Sequence, residues 1–536
     1  MTDRAARQAI LVASGDLRET ANRLGWPAQA ELETHVDAAF RRHGVDVQRA
    51  HPFEAARGHG FISSQRMGMD VFESIDRDAP LIVAEAVWQY SHHVLAGLRR
   101  HRGSILTVAN WSGQWPGLVG MLNLNASLTK MGRPYSSIWS EDLTDPFADD
   151  AIAAWLETGA IRHDTSHVRD LVGSRLPSRA SDLGRRLAGE LSERMAILGV
   201  FDEGCMGMYN AIFDDEHLNP VGIYKERLSQ SALVAAMRLV TDAEARAAYG
   251  WLEGRGMQFR LGSDGPTELT EEQVLDQLRL YIAAVRIADQ FGCDAIGIQY
   301  QQGLKDMAPA SDLAEGLLND GDRPPVLALG EHRELYPGRP VIHFNEVDEG
   351  SAVDALVTNR VWTALGLDPA TTLHDVRWGA PFGDDYVWVF EISGAVPPAH
   401  LIGGYAGAVS ERQPPVYFGL GGGTIKGVSR PGEIVWSRVF LMDGRLHADL
   451  GRATVVELPA AETERRWQST TPQWPIMHAV LHGVTRDQMM ARHRSNHIQV
   501  AYGTDAASAD EALAAKAAMF EAMGLAVHLC GEVPVG

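Results

Sequence analysis

The chain has 536 residues, of which 45% are hydrophobic and 22% charged, with 53 glycines. Single cores stop growing at about 250–300 residues, so this length predicts several domains. The 69 acidic residues against 48 basic ones give a formal charge of −21, which argues against non-specific nucleic-acid binding, because that needs basic surface to displace counterions.

No stretch reaches the ~20 apolar residues of a membrane-spanning helix. The three cysteines, Cys205, Cys293 and Cys530, are far apart and lack CxxC spacing, so they form neither a zinc motif nor a disulfide framework. The start, MTDRAARQAILVASGDLRE, carries charges throughout. A soluble, cytoplasmic protein is expected.

In chain order, residues 8–14 (QAILVAS) read as a buried strand and 17–42 as a helix with apolar residues every three or four positions. Residues 80–84 (PLIVA) and 104–109 (SILTVA) repeat the strand signal, each before a helical segment. Strands alternating with helices predict a parallel sheet covered on both faces, a first α/β domain over 1–165. A second α/β domain, 166–348, has strands at 195–201, 295–299 and 340–344, a long amphipathic helix at 271–291 and a proline-bearing surface excursion at 321–340. Beyond it, 385–392, 416–418, 433–442 and 453–458 read as strands bounded by Gly/Pro turns. Helices are expected around 478–492 and over 509–523, completing a β-rich C-terminal domain, 349–536. No GxGxxG follows the first strand and no GxxxxGK[ST] occurs; Gly421–Gly423 lies between strands and reads as a tight turn rather than a phosphate cradle.

Six patterns occur in order: Gly15–Glu19 (GDLRE), Ala109–Gly113 (ANWSG), Gly204–Tyr209 (GCMGMY), Gln299 followed by Asp312–Asn319 (DLAEGLLN) and His343–Asp348 (HFNEVD), Tyr417–Gly423 (YFGLGGG), and Ser495–His497 (SNH). Together they resemble the L-fucose isomerase family of metal-dependent aldose–ketose isomerases, across all three expected domains. The excursion before His343 and the charged Arg492-His493-Arg494 depart from that pattern. The resemblance implies a divalent cation, Mn²⁺ before Co²⁺ or Mg²⁺, held by Glu315, Asp348 and His497. It also implies substrate contacts at Arg18, Trp111, Gln299, Tyr417 and Asn496, and a homo-oligomer such as a hexamer in which the tryptophan loop reaches a neighbour's site.

The chemistry suits these residue types. Moving a proton between C1 and C2 of a sugar develops an oxyanion that a hard cation stabilises, and such cations prefer carboxylates, with imidazole acceptable for Mn²⁺ or Co²⁺. Two carboxylates, Glu315 and Asp348, can also relay the proton. Glu346, Asp348 and Glu349 crowd one turn, a costly arrangement unless a cation or solvent relieves it; the spacing does not choose between Glu346 and Asp348, and the resemblance favours Asp348. His343 and His478 are reserve ligands. Arg492 and Arg494 precede His497, and guanidinium groups recognise carboxylate, phosphate or sulfonate oxygens. Either they decorate a helix end or one of them, with Arg494 the first choice, selects an anionic aldose such as sulfoquinovose in place of a neutral one. The different-class alternatives are a sugar-binding protein without catalysis and a glycoside hydrolase using paired carboxylates.

Overall fold

The computed structural model describes residues 7–115, 117–171 and 176–533, without the side chains of Arg7 and Cys205; the charged lead at 1–6 lies outside the described residues. The chain is mixed α/β: two parallel sheets are followed by a β-rich third unit. The first sheet contains β1 (Arg7–Val12), β2 (Val45–Arg49), β3 (Leu81–Glu85), β4 (Ile105–Asn110) and β5 (Ser136–Ser140). They lie in the order β2-β1-β3-β4-β5, all parallel. β3 is buried at every position, which is why LIVAE reads as an unbroken apolar run with one acid at its end.

β6 (Val168–Asp170) does not join the second unit as the boundary at 166 predicts; it pairs antiparallel with the last strand of the chain. The second sheet contains β7 (Ala196–Phe201), β8 (Ile223–Leu228), β10 (Ala295–Ile298) and β11 (Ile342–His343), with β9 (Gln258–Phe259) outside it. Its order is β11-β10-β7-β8, again parallel. The helix Glu271–Phe291 falls where the periodicity places it, because Thr270 and Gln273 form a capping box and Gly292, at φ +63°, ends it.

The third unit contains β12 (Thr371–Phe382), β13 (Asp385–Glu391), β15 (Gly432–Met442), β16 (Arg445–Val455), β17 (Ile476–Leu481), β18 (His497–Tyr502) and β19 (Ala526–Cys530); β14 (Val409–Ser410) pairs instead with β9. β15-β18-β12-β13-β17-β16 run antiparallel, and β16 pairs back to β15, closing six strands into a ring with β19 and β6 attached to its side. The β15–β16 hairpin turns on Asp443 and Gly444, both at positive φ, as a two-residue turn requires.

Three expectations are corrected here. Residues 416–418 form a turn, since Pro414 and Pro415 supply no ladder donors. His478 lies in β17, and the following helix spans only Arg486–Arg492. The strand expected at 453–458 starts at Arg445, before its apolar end. The helix Glu349–Leu365 is buried along most of its length between the second sheet and the ring, so Leu198, Val357, Trp362 and Val439 share one core. Among the described residues no helix is long and apolar enough to cross a membrane.

Candidate active site

Ligands of open parallel sheets collect beyond the carboxyl ends of strands, where neighbouring connections leave in opposite directions. The first sheet has such a point between β1 and β3, and the second between β7 and β10. Arg18 and Trp88 follow β1 and β3; Met206, Gln301 and Glu346 follow β7, β10 and β11; all five line one cavity. The ring closes that cavity with Asp375 and Arg377 of β12 and with Asn496 just before β18.

His497 and Asp348 do not line this cavity; they lie buried directly behind Glu346 and Asp375, which do. His497 Nδ1 lies 2.7 Å from Asp348 Oδ2, while its Nε2 lies 3.5 Å from Asp375 Oδ1 and 3.6 Å from Glu346 Oε2. The strand register explains part of this grouping: Asp375 of β12 sits directly across from His497 of β18 and from Glu391 of β13. Glu391 in turn lies 3.1 Å from Arg377 Nη1.

Asp348 is fully buried and has three duties. Its Oδ1 accepts a hydrogen bond from Ser351 N at 3.0 Å and so caps the helix Glu349–Leu365, and Arg438 Nη1 donates to its Oδ2 at 2.6 Å beside His497. Burial alone would raise its pKa, but the Arg438 charge and the His497 hydrogen bond outweigh burial and hold the carboxyl well below its usual range. For His497, burial opposes the charged form, yet the hydrogen bond and charge of Asp348, with Asp375 and Glu346, raise its pKa.

The surrounding acids shift the other way. Burial pushes Glu346 up to about 7, against the pull of His497. Burial raises Asp375 as well. Burial also raises Asp312 to about 7 and, with the charge of Asp312, raises Glu315 well above its usual value. Glu346 and Val347 sit at φ +57° and +54°. Left-handed backbone at non-glycine residues costs roughly 1–3 kcal/mol each and clusters at functional sites.

Other expected residues divide into those that line the cavity and those that do not. Arg18, Tyr417 and Asn496 line it. Arg18 is paired with Asp16 at 2.6 Å and stacks 4.8 Å over the Tyr417 ring, and burial is outweighed by Asp16 in raising its pKa. Asn496 Oδ1 is buried with no hydrogen-bond partner. Glu315 is buried one layer back, accepting hydrogen bonds from Ser311 and Asn345, with His343 Nδ1 3.7 Å away. Gln299 is fully buried under β10 and accepts from Gln302 N at 3.0 Å, and it is Gln301 that reaches the cavity.

Trp111 is not in the cavity wall: its Nε1 donates to Gly379 O at 2.8 Å and its ring meets Trp388 edge-on. Arg494 opens onto a different cavity beside Arg133 and Asp443, and Arg492 is clamped on Asp449 at 2.6 Å, so neither faces the site. His478 is buried inside β17 with neither ring nitrogen hydrogen-bonded.

Asp375 and Arg377 were not among the expected site residues; the β12–β13 register shifts between Val376 and Trp378, at Arg377, an irregularity that no local pattern announces. Trp88 and Trp474 also line the cavity, without a local signal that separates them from core tryptophans.

The donor set suits a hard cation. Glu346, Asp375, Asp312 and Glu315 are buried acids whose ionisation is penalised, and a divalent ion would relieve that penalty. The 2.7 Å contact from His497 Nδ1 to Asp348 Oδ2 is a hydrogen bond that leaves Nε2, facing Glu346 and Asp375, as the ring nitrogen free to meet a cation. Glu315, Asp348 and His497 do not form a closed cage as placed. Among the described residues the group of three whose ligand atoms all lie within 4.8 Å is Asp214, Glu216 and His217, two of them exposed acids outside this cavity. No family model matches the chain, and no curated protein matches it.

Proposed function

We propose that the chain is a divalent-metal-dependent aldose–ketose isomerase, similar to the L-fucose isomerases. The observation that carries this reading is the gathering of Asp348, Glu346 and Asp375 around both nitrogens of buried His497, with Glu346 and Asp375 opening onto a cavity that also presents aromatic faces and hydrogen-bonding groups. The residues that would hold the cation are those around His497, with Asp348 fixing its ring, and Glu315 supporting them from behind through Asn345. A cation bound there acts as a Lewis acid on the sugar oxygens at C1 and C2.

The protein's own groups do the rest. Glu346 and Asp375 face the cavity, and each can take a proton from one sugar carbon and return it to the next. Arg18, Gln301 and Asn496 can orient sugar hydroxyls, and the faces of Trp88, Tyr417 and Trp474 suit the C–H side of a sugar. The two arginines in the wall, Arg18 and Arg377, already face Asp16 and Glu391, which favours a neutral aldose over an anionic one. A homo-oligomer is part of the same proposal.

The test is to dialyse out metal, restore Mn²⁺, and follow neutral aldoses by NMR for ketose formation and deuterium exchange at C2. Full turnover in a strong chelator would overturn the metal-dependent reading. Saturable sugar binding without exchange or product would favour a binding protein without catalysis.

A further inference from the structure

A second cavity, of about 350 Å³ and sharing no lining residue with the first, lies between the helices Gln65–Ser74 and His92–Arg100 and the turn that carries Arg77. Its wall holds Arg66, Arg77, Arg99 and Arg100 against one carboxylate, Glu73. Arg66 is paired with Asp70 at 2.6 Å. Arg77, Arg99 and Arg100 make no side-chain hydrogen bond or ion pair among the described residues. In a chain of charge −21, three solvent-exposed guanidinium groups without a carboxylate partner border this one hollow, a local positive field that favours an anion.

Favourable placement at a helix C-terminus accounts for Arg99 and Arg100, but Arg77 belongs to a separate turn. That turn is fixed: Arg102 N and Gly103 N both donate to Arg77 O, at 2.7 and 3.0 Å. The helices are fixed as well, since a Cβ on Gly97 would lie 2.1 Å from the Phe72 ring. Met69, Phe72 and Ala96 give the hollow an apolar side. The backbone that carries the arginines is therefore preformed, and binding need not order it.

We propose that this cavity binds a small polyanion of the phosphoryl class, its charged oxygens taken by Arg77, Arg99 and Arg100. Guanidinium groups bind phosphoryl oxygens in pairs of parallel hydrogen bonds, which a lone exposed charge does not achieve. The proposal is independent of the isomerase reading, since none of these residues lines the first cavity.

The experiment is calorimetric titration of the full chain with pyrophosphate, ATP and adenosine. Pyrophosphate and ATP should bind saturably and more weakly as salt rises. ATP exceeding pyrophosphate would show that the apolar side takes part, and equal affinities would assign binding to the phosphoryl group alone; adenosine should bind far more weakly than ATP. The Arg77→Ser/Arg99→Ser/Arg100→Ser variant, with an unchanged thermal melt, should lose at least about tenfold in affinity. Unaltered binding in that variant, or no saturable heat with either anion, overturns the proposal. So does a variant that changes oligomeric state in light scattering, which would give the arginines to a subunit contact.

Discussion

Asp348 Oδ2 is shared by two partners, lying 2.6 Å from Arg438 Nη1 and 2.7 Å from His497 Nδ1. One buried carboxylate thereby fixes the ring that presents Nε2 to Glu346 and Asp375. Orienting carboxylates of this kind are worth about 10–100-fold in metal affinity. Asp348→Asn should therefore bind Mn²⁺ more weakly by about that factor and lose turnover, while the helix cap survives because asparagine caps well. Mn²⁺ titration followed calorimetrically checks it; wild-type affinity in the variant would remove Asp348 and His497 from the metal site.

Glu346 and Asp375 face the cavity, whereas Glu315 is tied to Ser311 and Asn345 behind it. Glu346→Gln and Asp375→Asn should each abolish most deuterium incorporation at C2, in the range of about 10²–10⁴-fold expected for a positioned acid or base. Glu315→Gln should act on metal affinity more than on exchange per bound metal. If Glu346→Gln exchanges normally, the proton relay belongs to other residues.

Arg492→Ala and Arg494→Ala should leave the ratio of kcat/KM on L-fucose to that on sulfoquinovose unchanged, because neither side chain lines the site. Arg492→Ala should instead lower stability by leaving buried Asp449 without its partner. A selective loss of the sulfonated sugar in either variant would contradict this placement.

Glu85, at the end of β3, is fully buried and neither carboxyl oxygen has a hydrogen-bond partner. Burial raises its pKa well above the usual value, so the folded state favours the neutral acid. The contribution to stability is then complete below the unfolded carboxyl pKa and is lost as pH rises toward the folded one. Glu85→Gln cannot ionise, and its stability relative to wild type should improve between about pH 5 and pH 8. Denaturant unfolding across that range measures it; a pH-independent difference would mean that Glu85 does not titrate differently on folding.

Lys516 donates to Asp354, Ser437 and Thr358 inside the core shared by the second and third units, and burial lowers its pKa against the pull of Asp354. Lys516→Met should cost about 3–5 kcal/mol because it leaves the Asp354 charge buried without its lysine. Lys516→Met/Asp354→Leu should recover much of that loss in the same unfolding assay. A double variant as unstable as the single one would show that the remaining hydroxyl partners, not the charge pair, carry the energy.

Elements governed by local rules were legible in the sequence. The buried runs of β1, β3, β4, β7 and β10 and the capped helix Glu271–Phe291 follow from apolar period, end caps and breakers, which depend on residues a few positions apart. Arg18, Tyr417 and His497 come from the resemblance alone; Arg18 and Tyr417 line the cavity, and His497 lies behind it.

What it could not reach depends on pairing between distant strands. Closure of the third unit into a ring, the capture of β6 by β19, and the row His497–Asp375–Glu391 are set by register between strands far apart in the chain, 122 positions for Asp375 and His497 and 358 for Asp170 and His528. Spacing placed Glu346 and Asp348 together but did not separate them. Only the tertiary structure decided that Asp348 turns inward to Arg438 while Glu346 turns to the cavity, because that depends on which groups lie across each one in space and how far each is withdrawn from water.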